Sequence, residues 1–591
     1  MKWSTRIYLL LVLAIMISVM AGCGEIAESV HAQSAAPSTA EAPDEVPDEA
    51  LPLEIAPASN AEEQPAESVN APEPAPVVEE TDTLLVLDLS QQPSVQLPLS
   101  EEGAVLSIWC GSLALDAPIQ TYQDNRVIQE WQERTGVTLQ YTEVPSPTLA
   151  EQFNLMLASQ EYADILSDAS NLYTGGAVGM VADEITLDLT DLIAEDAVCY
   201  SWLLENDSSF AQSAREDNGK IAAFYGYQYN NVGFSGGMMT RADWLEALNI
   251  DVPQTYDEFH DMLSAYKNAG FSTYPLSIET NGSLKYNCLE AGFGVRAYLD
   301  FRDSSSCWYV ENDDTVQFGY MQPAYREYVL MMREWYAEGL ISPDLLVSSM
   351  LDSARILDGT YSVFAEDGER MVTYEQYAED STFKLTAIPP LRKNTEEKLH
   401  NGSIEISTSD EAYVISTACA DPAMAVRMLD YLYSYDGMIL CSYGIQGESY
   451  ELSSAGQPVF TKFILNNPDG MTFTQLSQIY TYTSPGCLND KGKYKQVYTE
   501  DQIAACETWA SAVEVSENNF ISYWSMTTEE SDLFASSYSD VTTYVSEIIP
   551  KFILGELDMD QWDSYVSTVE ELGIKNCTDA LNSARARYNA R

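Results

Sequence analysis

Apolar residues run almost without interruption from Ile7 to Met20, vanish as a sustained pattern between Gly24 and about Ser100, and then return with alternating helical and strand periods. Val105-Leu106-Ser107-Ile108-Trp109 is a β-favouring run and predicts an opening strand. Val127, Ile128 and Trp131 share one helical face, and Gly136 after Thr135 supplies a stop before the β-rich Val137-Thr138-Leu139-Gln140-Tyr141. Strand, helix, strand in this order argues for an α/β lobe with a mainly parallel sheet, whose ligands sit at the carboxyl ends of the strands.

Three later helices carry their own punctuation. Thr255 and Glu258 make an S/T-x-x-E capping box, Phe259, Met262, Leu263 and Tyr266 form the stripe behind it, and Gly270 ends it. From Pro323 to Glu338, Tyr325, Tyr328, Val329, Met332, Trp335 and Tyr336 fall at helical spacing, with Gly339 beyond; this aromatic stripe reads as core. Asp421 serves as N-cap and Pro422 as first helical residue for a face of Ala425, Met428, Leu429 and Leu432.

Charge and composition change the picture at the N-terminus. Lys2 and Arg6 precede the apolar run, which meets Ala21-Gly22-Cys23, the order of a secretory signal peptide over residues 1–22. The run is about 14 residues, short of the roughly 20 that a membrane-crossing helix needs. Met20-Ala21-Gly22-Cys23 resembles a bacterial lipobox, with Met20 in place of the usual Leu, and this resemblance implies diacylation of Cys23 as the new N-terminus. Residues 23–100 are dense in Ala, Pro, Glu, Asp and Ser, and Gly24 to Ser100 holds neither Lys nor Arg. Such a segment cannot bury enough apolar surface to offset its conformational entropy, so it is expected to be a disordered acidic tether, with Leu84 to Leu87 as an earlier candidate start of the fold.

The rest exceeds the size at which one hydrophobic core stops growing, so two lobes are expected. A formal net charge of -62 argues against nucleic acid and anionic membrane surfaces as partners. The ten cysteines show no C-x-x-C, and the three histidines are His31 in the tether, His260 and His400. A His-based triad or zinc site would have to use His260 and His400, and His260 reads as an ordinary helical residue. The acidic runs Glu311-Asn312-Asp313-Asp314 and Asp558-Met559-Asp560-Gln561-Trp562-Asp563 lack the glycine and terminal glutamate spacing of a calcium loop. No metal, cofactor or catalytic residue is nominated.

Several stretches occur in an order that resembles extracellular solute-binding protein family 1, in particular its large lipoprotein branch, often called LipO-like. They are Asn125 to Val137, Phe153-Asn154-Leu155-Met156-Leu157-Ala158-Ser159 and Ala163-Asp164-Ile165; then Arg241-Ala242-Asp243-Trp244-Leu245 leading to Pro253-Gln254-Thr255-Tyr256-Asp257-Glu258-Phe259. Trp335 to Ile341, Tyr413 to Ser416, Asp430 to Ser434, Tyr443 to Tyr450 and Lys551 to Gly555 follow. Gln160 and Ala163 depart from the family's usual Gly and Pro. The resemblance implies an α/β, two-lobed periplasmic-binding-protein-like fold of class II type, with lobes joined by hinge strands around a ligand cleft. It places lobe 1 at 101–235 plus about 413–475 and lobe 2 at 236–412 plus about 476–591. Crossings are expected near Val232 to Met239, near Tyr413 to Ser416 and within 475–520.

The implied function is that of a monomeric, lipid-anchored protein on the outer face of the bacterial cell membrane that hands a solute to ABC permease subunits. The candidate ligand-binding residues are Trp109, past the first strand, Ser167, Asp168 and Tyr173 in the loop after Asp164-Ile165, and Tyr225, Tyr227, Gln228, Tyr229, Asn230 and Asn231 before the hinge. Aromatic faces rest on the C-H side of a pyranose and amides pair with its hydroxyls, so this mixture points to a carbohydrate. Trp308, Trp509 and Trp524 are secondary candidates. A surface glycan-processing hydrolase, a solute sensor or an adhesin stay open as alternatives.

Overall fold

The structure, a computed structural model, describes residues 87–113, 117–230, 236–278, 289–297, 307–310, 315–343, 353–394, 408–482, 486–511 and 526–591. The chain divides into two units, Met1–Glu80 and Thr81–Arg591. The first unit, with the signal peptide, Cys23 and most of the expected tether, lies outside the described residues. Among the described residues no helix is long and apolar enough to cross a membrane.

Thirteen strands are described: β1 Ala104–Gly111, β2 Val137–Val144, β3 Ile165–Ser167, β4 Phe224–Tyr229, β5 Gly236–Arg241, β6 Trp308–Val310, β7 Val316–Phe318, β8 Val363–Asp367, β9 Leu385–Ala387, β10 Thr408–Ile415, β11 Tyr450–Leu452, β12 Pro458–Phe460 and β13 Leu488–Asp490. The first lobe is built on a six-stranded sheet of order β13-β4-β10-β3-β1-β2. Its β1 runs parallel to β2, from Ala104 opposite Val137 to Gly111 opposite Val144, and parallel to β3. Only β10 runs against its neighbours, antiparallel to both β3 and β4, while β13 is parallel to β4.

Alternation along β1 assigns the two faces. Leu106 and Ile108 enter the larger core beneath the Arg126–Thr135 helix, whereas Trp109 enters a smaller core with Phe153 and Met156. The Arg126–Thr135 helix starts where the Asn125 carboxamide oxygen accepts from the Val127 and Ile128 amides at 2.8 and 3.2 Å. It ends at Gly136, whose φ of 70° suits glycine and whose missing Cβ leaves room for the Ser100 carbonyl. The Leu99 and Ser100 amides both donate to the Thr135 carbonyl, at 2.8 and 3.2 Å. Leu87 and Leu89 are buried in the same core, so the folded lobe takes in residues assigned by sequence to the tether.

Asp430 joins two helices of this lobe. It is 1% exposed, closes the Pro422–Asp430 helix, and accepts from the Cys199 amide at 3.0 Å and the Tyr200 amide at 2.8 Å, at the amino end of the Val198–Asn206 helix. Burial pushes its carboxyl up to about 6, against the lowering effect of those amides.

The second lobe has a three-stranded antiparallel sheet, β8-β5-β9. Met238 and Met239 of β5 point to opposite cores. The larger is formed with the Tyr256–Asn268, Pro323–Ala337, Thr528–Ile553 and Ile574–Asn589 helices. The expected caps are present: Thr255 and Glu258 form the capping box, and Gly270 and Gly339 follow their helices at φ 73° and 69°. Trp509 donates to the Met238 carbonyl at 3.0 Å, and its indole lies so close over Gly237 that a Cβ there would sit 2.6 Å from the ring. Trp308 and Trp509 are thus core residues, and Trp524 lies outside the described residues.

Among the described residues the chain passes between lobes three times. It leaves the first lobe after Asn230 and enters β5 at Gly236, returns between Leu391 and Thr408, and leaves again from Asp490 through the short 3-10 helix Lys491–Gln496. The second crossing therefore precedes the expected Tyr413 to Ser416, which lies inside the first sheet, with Tyr413 opposite Ser167 and Phe224. Residues 408–412 and 476–490 belong with the first lobe, since Leu476, Tyr482, Cys487 and Leu488 are in its core. The apolar run at 413–415 reveals a strand but not its direction, and β10 is entered at its polar, amino end.

Glu290, 0% exposed, sits in the second lobe with both carboxyl oxygens lacking a hydrogen-bond partner among the described residues. The buried Tyr325 and Tyr328 hydroxyls lie beside it, near enough to interact but outside hydrogen-bonding geometry. Burial pushes its carboxyl up to about 8 from an ordinary 4.5.

Two predictions follow from these buried carboxyls. Asp430→Ala leaves two buried amides unpaired and should cost about 3 kcal/mol, read as a lower urea midpoint. Glu290 keeps its proton in the folded state and loses it on unfolding above the unfolded value. Its contribution is therefore greatest below pH 4.5 and falls away as pH rises toward about 8. Glu290→Gln should match the parent near pH 4.5 and exceed it at pH 8 by on the order of 2–4 kcal/mol in denaturant titrations.

Candidate functional site

Because β10 alone is reversed, the carboxyl ends of β1, β2, β3, β4 and β13 and the amino end of β10 share one edge of the first sheet. All three crossings depart from or arrive at this edge. It is the place where strand ends, unpaired backbone groups and a hinge coincide.

At the β3 end, Asp168 adopts φ 53°. Its amide donates to the Ala412 carbonyl at 2.9 Å and its carboxylate accepts from the Ala412 amide at 3.1 Å. These bonds close the β3–β10 pair and hold the carboxylate at the edge. Ser167 beside it is buried. Glu143, near the end of β2, accepts from the Tyr122 amide at 2.9 Å, and burial raises its carboxyl above the usual range. Between them lies Cys110, pushed up to about 12 by burial and then by the charges of Glu143 and Asp168, so it stays a thiol. Tyr173 turns away from the strand ends: its hydroxyl bonds to Asp183, and its ring meets Phe153 edge-on at 6.4 Å.

Three expected sugar platforms are packed residues. Trp109 is 5% exposed with its ring 5.9 Å from Phe153. It forms the base of a groove of about 670 Å³ along the Leu149–Ser159 helix, shared with Ser107, Thr142, Met156 and Tyr162. Tyr225 donates its amide to the Tyr200 hydroxyl at 3.2 Å, and its own hydroxyl lies 3.5 Å from Glu216. Tyr227 is buried against Phe210, with its hydroxyl donating to Asp207 at 2.7 Å. Each ring is held by the side of the sheet it faces, which alternation sets and residue type does not.

The end of β4 is different. Tyr229 is half-buried and donates to the Leu87 carbonyl at 3.1 Å. Asn230, at φ 49°, donates to Asp490 at 3.1 Å, and Gln228 accepts from Asn489 at 3.4 Å. Asn231 lies outside the described residues. Asp490 thus ties two crossing roots together, while also accepting from the Tyr443 hydroxyl at 2.8 Å and the Gly492 amide at 2.9 Å. A cavity of about 570 Å³ opens beside this junction, lined by Asp88, Tyr229, Asn230, Tyr435, Gln457 and Asp490 among others. Lys493, 2% exposed, donates to Asn489 at 3.3 Å, and burial brings its amine down to about 8. Sequence reasoning missed Asp490, Tyr443 and Lys493; the polar run Asn489-Asp490-Lys491-Gly492-Lys493 directly after Cys487-Leu488 was the available signal.

The edge offers carboxylates, amides and a partly open aromatic ring, a set that pairs with hydroxyls. His260 is remote from it, on the surface of the second lobe and bonded to Glu338 at 2.6 Å, and His400 lies outside the described residues. Among the described residues no group of three or more His, Cys, Asp or Glu is placed to hold a metal ion.

Residues 126–447 match the family model described as bacterial extracellular solute-binding protein. Among curated proteins the chain is 22% identical over 476 residues to the lipoprotein LipO of Bacillus subtilis, covering 76% of this chain and 86% of that one. It is 21% identical over 481 residues to the fructooligosaccharide ABC transporter substrate-binding protein FusA of Streptococcus pneumoniae, covering 76% and 84%. The fold is similar to that of an HMO-binding, ABC-transporter-associated solute-binding protein from Bifidobacterium longum infantis, with TM-score 0.67 and 14% identity over 83% of this chain and 99% of that one. With two lobes, three crossings at one strand edge and a family match over more than half its length, the chain belongs to the bacterial extracellular solute-binding proteins.

Proposed function

We propose that this protein captures an oligosaccharide between its lobes by hinge closure and delivers it to the permease of an ABC importer, while held on the outer face of the membrane through a lipid on Cys23. The observation that carries the reading is the meeting of all three crossings with the strand ends of the first sheet, which makes the polar edge and the hinge one place. Solute at that edge would bridge the lobes, and closure would remove it from water.

The carbohydrate assignment draws on the edge chemistry and on the similarity to FusA, the substrate-binding protein of a fructooligosaccharide ABC transporter. In this reading Asp168 and Asn230, with Asn231, pair with sugar hydroxyls, and Tyr229 supplies an apolar face. Trp109, Tyr225 and Tyr227 support the edge from inside. Anchoring draws on Met20-Ala21-Gly22-Cys23 and on the lipoprotein name of LipO.

A thermal-shift panel of kestose, nystose, other neutral oligosaccharides, uronate oligosaccharides and peptides tests the solute. One oligosaccharide class should stabilise the protein by roughly 2.7 kcal/mol at 100 times its dissociation constant. Tyr227→Phe should leave that shift unchanged, because its hydroxyl is bonded to Asp207. Stabilisation by peptides alone would overturn the sugar, and turnover of an oligosaccharide beyond stoichiometry would replace binding by hydrolysis. Separately, Cys23→Ala should move the protein from the membrane fraction to the medium in expressing cells; retention on the membrane would refute the anchor.

A further inference from the structure

Besides the crossings, the second lobe reaches back onto the first through its last helix. The amino-terminal part of Ile574–Asn589 is buried in the second lobe through Ile574, Cys577 and Leu581. Its carboxyl-terminal turns meet the segment 212–217, the last turn of the Ser208–Ala214 helix and the loop after it, and that helix contributes Phe210 and Ala214 to the first core. Arg591 donates through Nε and Nη2 to one Asp217 oxygen at 2.9 and 2.7 Å and through Nη1 to the Gln212 carbonyl at 3.2 Å. The Arg591 side chain is 4% exposed, and Glu216, at 7%, lies 4.0 Å away.

Arg587 links three elements. Its Nε donates to the other Asp217 oxygen at 2.5 Å, while Nη1 and Nη2 hold both oxygens of Glu530 at 2.9 and 2.5 Å, at the start of the Thr528–Ile553 helix. The Gln212 side chain donates to the Tyr588 carbonyl at 3.0 Å, and the Ser213 and Tyr588 hydroxyls are 3.1 Å apart. An exposed surface ion pair contributes little, but a forked, partly buried network with both Asp217 oxygens engaged is a geometric lock.

We infer that Asp217, Arg587 and Arg591 form an interlobe clasp that sets the equilibrium between lobe arrangements and thereby tunes the affinity of the site at the strand edge. These act as positioning residues. Its consequence for affinity rests on the solute-binding reading; its effect on lobe geometry does not. Any rotation of one lobe against the other must stretch or reorganise these bonds, so the arrangement in which they are intact is favoured by their coupling, a factor on the order of 5–150 in the equilibrium.

The test needs no solute. Donor and acceptor dyes at exposed Leu155 in the first lobe and Tyr377 in the second report the interlobe distance by single-molecule energy transfer in the mature chain. Asp217→Lys should shift or split the distance distribution, and the charge swap Asp217→Arg with Arg591→Asp should move it back toward the parent. Should Asp217→Lys fail to fold, Arg591→Gln is read in the same way. An unchanged distribution in a folded variant overturns the clasp, as does a charge swap that recovers melting temperature without recovering the parent distribution. If the clasp holds while no oligosaccharide binds, the carbohydrate reading fails and the lobe coupling stands.

Discussion

One reversed strand organises the first lobe. If β10 ran with its neighbours, the chain arriving from the second lobe would have to enter at the far edge of the sheet. Running antiparallel between β3 and β4, it enters where they end. The second crossing is thereby brought beside the first and third, and a hinge made of neighbouring segments can flex while both cores stay packed. Asp168 secures this arrangement, since its amide and carboxylate bond to the carbonyl and amide of Ala412 in β10. Asp490 does so on the other side, between the ends of β4 and β13. Two edge carboxylates therefore have structural partners in the free protein, which fix their positions.

Much of this fold was legible because local signals were unambiguous. Gly136, the Thr255 and Glu258 box and Pro422 mark element ends by backbone chemistry, and each stands where its residue type requires. Strand direction is not encoded that way. Tyr413-Val414-Ile415 has the same residue types whether the strand runs up or down, so the second crossing was placed at the wrong end of β10. The start of the fold was legible only in outline: the apolar run Leu84 to Leu87 marks it within an acidic segment, and Leu87 and Leu89 fill the first core.

The site was less legible than the fold for a related reason. An aromatic residue near a strand end serves equally well as a ligand platform or a core filler, and the choice depends on which face it occupies and what covers that face. Trp109 is covered by the Leu149–Ser159 helix through Phe153, and Tyr227 by the Ser208–Ala214 helix through Phe210. Tyr229, two residues further along β4 and past those helices, is only half-buried. Asp490 and Lys493 stand in a polar run after two buried residues, which carries no period of its own, and only the pairing of β13 with β4 makes it part of the hinge.

The charge balance gives the arginines unusual weight. With 91 acidic residues against 29 basic ones, carboxylates repel one another over much of the surface, and each guanidinium can choose among many partners. Several of the best formed pairs lie at joints rather than on open faces. Arg427 connects its helix to Asp196, Arg241 at the end of β5 is held between Trp244 and Phe383 and bonded to Asp243, and Arg587 and Arg591 reach across the lobes to Asp217. In a chain this acidic, an unpaired carboxylate at such a joint would add repulsion where two elements meet. Arginine there removes the repulsion and fixes the angle of approach through its planar fork, which a lysine point charge would not do. The same excess of negative charge that keeps the surface apart thus makes the few cationic contacts selective for the places where segments distant in sequence have to meet.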